Sequence, residues 1–185
     1  MLVKSNMFPL GGTAPNFNLP DTNNKMAMTT LADLVGPLGL WVMFICNHCP
    51  YVKHILSDLI NCSKEALGIG VGVVAISAND AEQFPEDSPS AMQQLCMSES
   101  LPFPYLYDES QTVAKAYQAA CTPDLYLFDH QKKCVYRGRF DASTPGNQLP
   151  VTGEDMRHAL AALRSGHGFS NMQQPSMGCN IKWKQ

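Results

Sequence analysis

Hydrophobic positions along the chain fall into short runs that switch between two periods. Leu40 to Ile45 (LWVMFI) is an unbroken apolar run, the pattern of a strand buried on both faces. Directly after it Tyr51, Val52, Ile55, Leu56, Leu59 and Ile60 recur at helical spacing through Leu67, with Gly68 as the stop. A second apolar run, Val71 to Ile76 (VGVVAI), ends at the polar stretch from Ser77 to Asp80. Strand, helix, strand in this order reads as a parallel crossover unit, and the right-handed rule places both strands in one sheet. The chain passes from strand into helix at Cys46.

Upstream, Pro15 to Pro20 alternates, meets the turn-like residues 21–24, and leads to a short strand over Lys25 to Met28, which predicts an N-terminal hairpin. Thr30 to Val35 reads as one helical turn stopped by Gly36-Pro37. Downstream, Glu82 to Pro89 is an acidic, proline-rich loop, and Ser90 to Ser98 is a short helix carrying Cys96. Phe103 to Tyr107 is strand-like and Ser110 to Gln118 helical, while Asp124 to Asp129 and Cys134 to Phe140 form a hairpin. Thr152, with Asp155 in capping-box position, starts a last helix through Leu163. Residues 166–185 read as a C-terminal tail. The fold class expected is α/β, a central mixed sheet flanked by helices with an N-terminal hairpin extension, in a single domain over residues 1–185.

The chain has 185 residues, 45% hydrophobic and 16% charged, against roughly 25% charged in an average domain. A net charge of −3 and a pI near 5.9, with no run of Lys or Arg, argue against nucleic acid as a partner. The longest apolar run is far short of the roughly 20 residues a membrane-spanning helix needs. The N-terminal MLVKSNMFPLGG has no sustained apolar stretch or cleavage site of an export signal, so a cytoplasmic location is expected. Seven cysteines are an odd number, which excludes complete pairing within one chain. In a reducing compartment such cysteines are buried apolar residues, metal ligands or redox groups.

Spacing selects among these. Cys46-Asn47-His48-Cys49-Pro50 is a CxxC between a buried strand and a helix. Unpaired N–H groups and the positive end of the helix dipole favour an anion there. Cys46 is therefore read as the nucleophile. Cys49, three residues on, is read as the thiol that resolves a mixed disulfide. Pro50 fits a helix start, where a missing N–H costs little. Protonated His48 would add positive charge beside the thiolate, although a solvated loop histidine is the alternative. A structural zinc site needs two more ligands at suitable spacing, and no second CxxC or HxxxH exists, so neither a metal nor another cofactor is expected.

At these residues the chain resembles the thioredoxin superfamily, and more narrowly the peroxiredoxin-like branch of alkyl hydroperoxide reductase and thiol-specific antioxidant proteins. APNFNLPDTNN is similar to the first strand of that branch, FICNHCPYVKH to its active-site stretch, and ACTPDLYLFD to the segment holding the thioredoxin-fold cis-proline. The ending PSMGCNIKWK resembles a tail found in one subgroup. The resemblance implies a thioredoxin-like fold, with Thr122-Pro123 opposite Cys46 and the backbone before the proline free to pair with a bound peptide. Two departures bear on activity. Met43 stands three residues before Cys46 where peroxiredoxins place a threonine, and Thr122-Pro123-Asp124 stands where they carry an arginine. Both losses remove groups that position peroxide and stabilise charge on its oxygen. Isoleucine replaces the tryptophan that usually precedes the first cysteine of thioredoxin, and Asn47-His48 replaces Gly-Pro.

Thiol–disulfide oxidoreductase is the function expected, with a protein thiol or disulfide as substrate and a thiol reductant as partner. A thiol peroxidase and a non-catalytic redox-sensing module stand as alternatives. Cys62, Cys96 and Cys134 have apolar neighbours and read as inert buried thiols. Cys121, abutting Thr122-Pro123, and Cys179, in the tail, are candidates for a third redox thiol, with a Cys46–Cys121 bridge as one possibility. The acidic cluster of Asp80, Glu82, Glu86 and Asp87 reads as a solvated loop.

Overall fold

The computed structural model describes residues 1–166 and 173–185. Its elements run β1 (Leu2–Lys4), β2 (Asn18–Asp21), β3 (Ala27–Thr30), α1 (Leu31–Leu34), β4 (Gly39–Phe44), α2 (Pro50–Gly68) and β5 (Val71–Ser77). They continue as α3 (Pro89–Glu99), β6 (Tyr105–Tyr107), α4 (Thr112–Ala116), β7 (Cys121–Thr122), β8 (Asp124–Asp129), β9 (Cys134–Gly138), α5 (Glu154–Ser165) and β10 (Met177–Asn180). Seven strands form one mixed sheet in the order β3-β2-β6-β5-β4-β8-β9. In it β4, β5 and β6 are parallel, while β8 pairs antiparallel with both β4 and β9.

All six residues of β4 are buried, and its period of two sorts them between layers. Trp41 and Met43, with Ile45 just beyond, join Val52, Ile55 and Leu59 of α2, Met92 of α3 and Met156 of α5 in one apolar layer. Leu40, Val42 and Phe44 join Phe8, Phe17, Leu31, Ala114 and Tyr117 in the other. Helices therefore cover both faces, as an unbroken apolar strand requires. The expected crossover is present, with α2 carrying the chain from β4 to the parallel neighbour β5. The expected hairpin is β2 against β3.

Two expectations are corrected. The last helix is not capped by a Thr152–Asp155 box. Asp141 Oδ2 takes the N–H groups of Thr152 (2.7 Å) and Gly153 (2.6 Å), which moves the N-cap to Gly153 with φ +61°. Asp155 instead binds Arg139 Nε at 2.6 Å. Secondly, the segment read as a tail carries β10, the middle strand of a three-stranded sheet β1-β10-β7. Part of that segment, residues 167–172, lies outside the described residues. No helix among the described residues is long and apolar enough to cross a membrane.

Candidate active site

The CxxC segment is held where the central strand ends. Phe44 is opposite Asp124 in the β4–β8 register, so the residues preceding β8 lie beside the residues following β4. The peptide Thr122-Pro123 is cis. Cys46 Sγ lies 3.4 Å from Thr122 Oγ1, and Cys49 Sγ can donate to the Thr122 carbonyl at 3.1 Å. The structure thus brings together Cys46, Cys49 and Thr122-Pro123, the arrangement that the family resemblance implies. Both CxxC cysteines have no exposed surface.

Helix α2 begins at Pro50, not at Cys46, and Cys49 is its N-cap with extended φ −66° and ψ 120°. The cause is local, since a residue before proline is pushed out of the helical region while proline itself suits the first helical position. The electrostatic advantage of the helix start therefore goes to Cys49. Its ionisation is brought down, chiefly by hydrogen bonding with the Cys46 thiol, with Thr122 and the N–H groups of Cys179 and Val52 adding to this against the effect of burial. The Cys46 thiol is pushed far up, first by donating to Cys49, then by burial and by the Asp87 carboxylate. The two sulfurs thus share a single proton, and the pair as a whole holds the charge.

Asp87 is the group that sequence patterning misses. Far from being solvated, it has no exposed surface, and Asp80 is also buried, whereas Glu82 and Glu86 are exposed. Asp87 Oδ1 accepts the backbone N–H of Asn47 (2.8 Å) and of His48 (3.3 Å). Its other oxygen meets His48 Nδ1 at 2.5 Å and Asn79 Nδ2 at 2.7 Å. The carboxylate thus occupies the amides that follow Cys46 and would otherwise favour a thiolate there. One signal was available in sequence. Asp87 sits between Pro85 and Pro89, which fix the backbone on either side of it.

His48 is paired with this carboxylate and stacks on Phe84 at 5.5 Å and 13°, so any positive charge it carries is balanced locally. Asn47 Oδ1 accepts from the Tyr105 hydroxyl at 3.2 Å, which ties the loop to β6. Cys46, His48 and Asp87 offer ligand atoms within 4.8 Å of one another. As they stand, the nitrogen and carboxylate oxygen are already bonded to each other, and a metal between them would have to break that pair.

The remaining cysteines divide clearly. Burial raises Cys62 to about 12 and Cys134 to about 12, and Cys96 to about 11. All three match inert thiols in surroundings and burial. Cys121 turns its sulfur to the Pro123 carbonyl at 3.5 Å, whereas the next residue, Thr122, turns its hydroxyl to Cys46. Alternation along a strand sends neighbouring side chains to opposite faces, which turns the Cys121 sulfur away from the face that Thr122 presents to Cys46. Cys179 is placed differently. It lies opposite Thr122 in the β10–β7 register, and both its N–H and its thiol face Cys49 Sγ. Next to the site a cavity of about 270 Å³ is lined by Tyr51, Ile55, Pro123, Phe140 and Met177, among others.

Residues 10–137 match the AhpC/TSA family. The chain is 30% identical to the thiol-disulfide oxidoreductase ResA of Bacillus subtilis over 125 residues, 68% of this chain and 64% of ResA. It thus spans less than two thirds of that relative. An uncharacterized conserved protein from Geobacillus kaustophilus is 52% identical, with a TM-score of 0.97 over 100% of this chain and 97% of that one. Peroxidoxin BcpB from Mycobacterium tuberculosis, 17% identical with a TM-score of 0.63 over 84% of this chain and 96% of its own, shares the fold. With a thioredoxin-like fold and a match over most of its length, the chain belongs to the AhpC/TSA family, within the peroxiredoxin-like branch of the thioredoxin superfamily.

Proposed function

We propose that the protein is a thiol–disulfide oxidoreductase that cycles Cys46 and Cys49 between dithiol and disulfide, with protein thiols or disulfides as substrates and a thiol reductant as partner. The observation that carries this reading is the pair of cysteine sulfurs preceding α2, both held against Thr122. In the reducing direction the Cys49 thiolate attacks a substrate disulfide, one substrate sulfur leaves, and a mixed disulfide forms at Cys49. Cys46 then attacks Cys49, its proton goes to the departing thiolate, and the substrate is released as a dithiol. The 30% identity to a thiol-disulfide oxidoreductase supports the same chemistry.

Reduction of insulin disulfides with dithiothreitol tests it. Cys46→Ser and Cys49→Ser should each lose at least 100-fold in turnover. With Cys49 as the attacking sulfur, Cys46→Ser is expected to trap a mixed disulfide and Cys49→Ser is not. Hydrogen peroxide should be consumed slowly, since Met43 is an apolar, fully buried residue of β4 and Thr122-Pro123-Asp124 stands where a guanidinium would be expected. Wild-type-like turnover in either variant, or peroxide consumption near the diffusional ceiling of about 10⁸–10⁹ M⁻¹s⁻¹, would overturn the assignment.

A further inference from the structure

Strand β10 occupies the edge of β7, where the backbone of Thr122 would pair with an incoming peptide. Its register places Cys179 opposite Thr122 and Asn180 opposite Cys121. The approach is close enough to require glycine beside the cysteine, because a Cβ on Gly178 would come within 2.0 Å of the Thr122 carbonyl oxygen. The strand is anchored on both flanks. Ser5 N–H donates to the Ser176 carbonyl at 2.9 Å and Asn180 N–H to the Met1 carbonyl at 2.9 Å, while Ile181 N–H reaches the Ala120 carbonyl at 3.1 Å. Lys182 N–H binds Asn79 Oδ1 at 2.8 Å, and Asn79 in turn holds Asp87.

Exposure gives the arrangement a direction. Six of the seven cysteines are buried, among them Cys46 and Cys49, and only Cys179 retains partial exposure. A dithiol closed on all sides needs a route to the outside. The cysteine beside it, on a strand seated as a peptide substrate would be, supplies one. The match to the family ends at residue 137, so this strand lies beyond the matched segment.

We propose that Cys179 is an internal substrate of the Cys46–Cys49 pair, and that the disulfide moves between Cys46–Cys49 and Cys49–Cys179. The inference rests on the exchange chemistry proposed above. In the forward step the Cys179 thiolate attacks Cys49 Sγ of the Cys46–Cys49 disulfide. The Cys49–Cys179 bond forms, the Cys46–Cys49 bond breaks, and its electron pair leaves on Cys46. The proton given up by Cys179 is matched by the one Cys46 takes, so no oxidant or reductant is consumed. A Cys49–Cys179 bond of about 2.05 Å closes the separation between the two facing sulfurs. External partners then meet the disulfide at Cys179.

The test is disulfide mapping by mass spectrometry on the full chain, oxidised with one equivalent of diamide and quenched with acid. Wild type should give a mixture of Cys46–Cys49 and Cys49–Cys179. In Cys46→Ala, checked for folding by circular dichroism, Cys49–Cys179 should become the main disulfide. Gly178→Val lifts β10 from Thr122 and should retain Cys46–Cys49 while losing Cys49–Cys179 at least tenfold. The proposal is overturned if wild type forms only Cys46–Cys49, or if Gly178→Val leaves the ratio of the two disulfides unchanged. A wild-type protein that forms neither bond would instead refute the oxidoreductase reading itself, which keeps the two failures apart.

Discussion

At the scale of the residue, the behaviour of the site is set by which groups compete for a few N–H donors. Asp87 takes the amides of Asn47 and His48, while Cys49, as N-cap, lies against those of Val52 and Cys179. A carboxylate beside Cys46 makes ionisation of that sulfur costly, in the direction expected for like charges in a dry site. Asp87→Asn keeps an oxygen for the amides and removes the charge. It should therefore bring the Cys46 thiol down. Titration of thiolate absorbance near 240 nm in this variant and in wild type checks the shift, and identical curves would remove Asp87 from the account.

At the scale of the element, α2 is the scaffold on which the site is built. Its N-terminus holds Cys49, and its apolar face, including Val52, Ile55, Leu59 and Ile60, packs into the same layer as Trp41 and Met43. Leu59 has no exposed surface, whereas Leu67 near the end of the same helix is 40% exposed. Removing a fully buried leucine leaves a cavity that the surroundings only partly fill. Leu59→Ala should cost about 2–5 kcal/mol, and Leu67→Ala should stay within about 1 kcal/mol. Urea unfolding of both variants measures the contrast, and equal losses would contradict the orientation of the helix.

At the scale of the whole molecule, Asp124 couples overall stability to pH. It starts β8 directly after the cis peptide and is fully buried, with the Tyr126 hydroxyl donating to it at 2.8 Å. Burial raises its carboxyl to about 6 from an ordinary 3.8, and hydrogen bonds only partly oppose this. The folded state then holds a proton that the unfolded chain has released. Its contribution to stability is complete below about pH 4 and is lost as pH rises through about 6. Asp124→Asn cannot ionise, so between pH 4 and 7.5 it should gain about 3 kcal/mol relative to wild type. Chemical denaturation at both pH values tests this, and an equal difference at the two would show that the carboxyl titrates normally.

Local pattern alone settled much of this protein. The apolar run of β4, the 3.6-residue period of α2 and the run of β5 were enough to specify a parallel unit with a CxxC at its junction. Those signals are local because burial on one or two faces imposes its period directly on the chain. Pro50 even carried the means to place the helix start correctly, through the constraint it puts on Cys49. Contacts between distant segments left no such period. Asp87 reads as one more acid in a polar loop until folding buries it against residues 47 and 48, roughly forty positions away. Cys179 reads as part of a tail until β10 enters between β1 and β7 and turns it toward Cys49. A buried charge or a third sulfur acts through what surrounds it, and for these two residues only the tertiary structure supplied those surroundings.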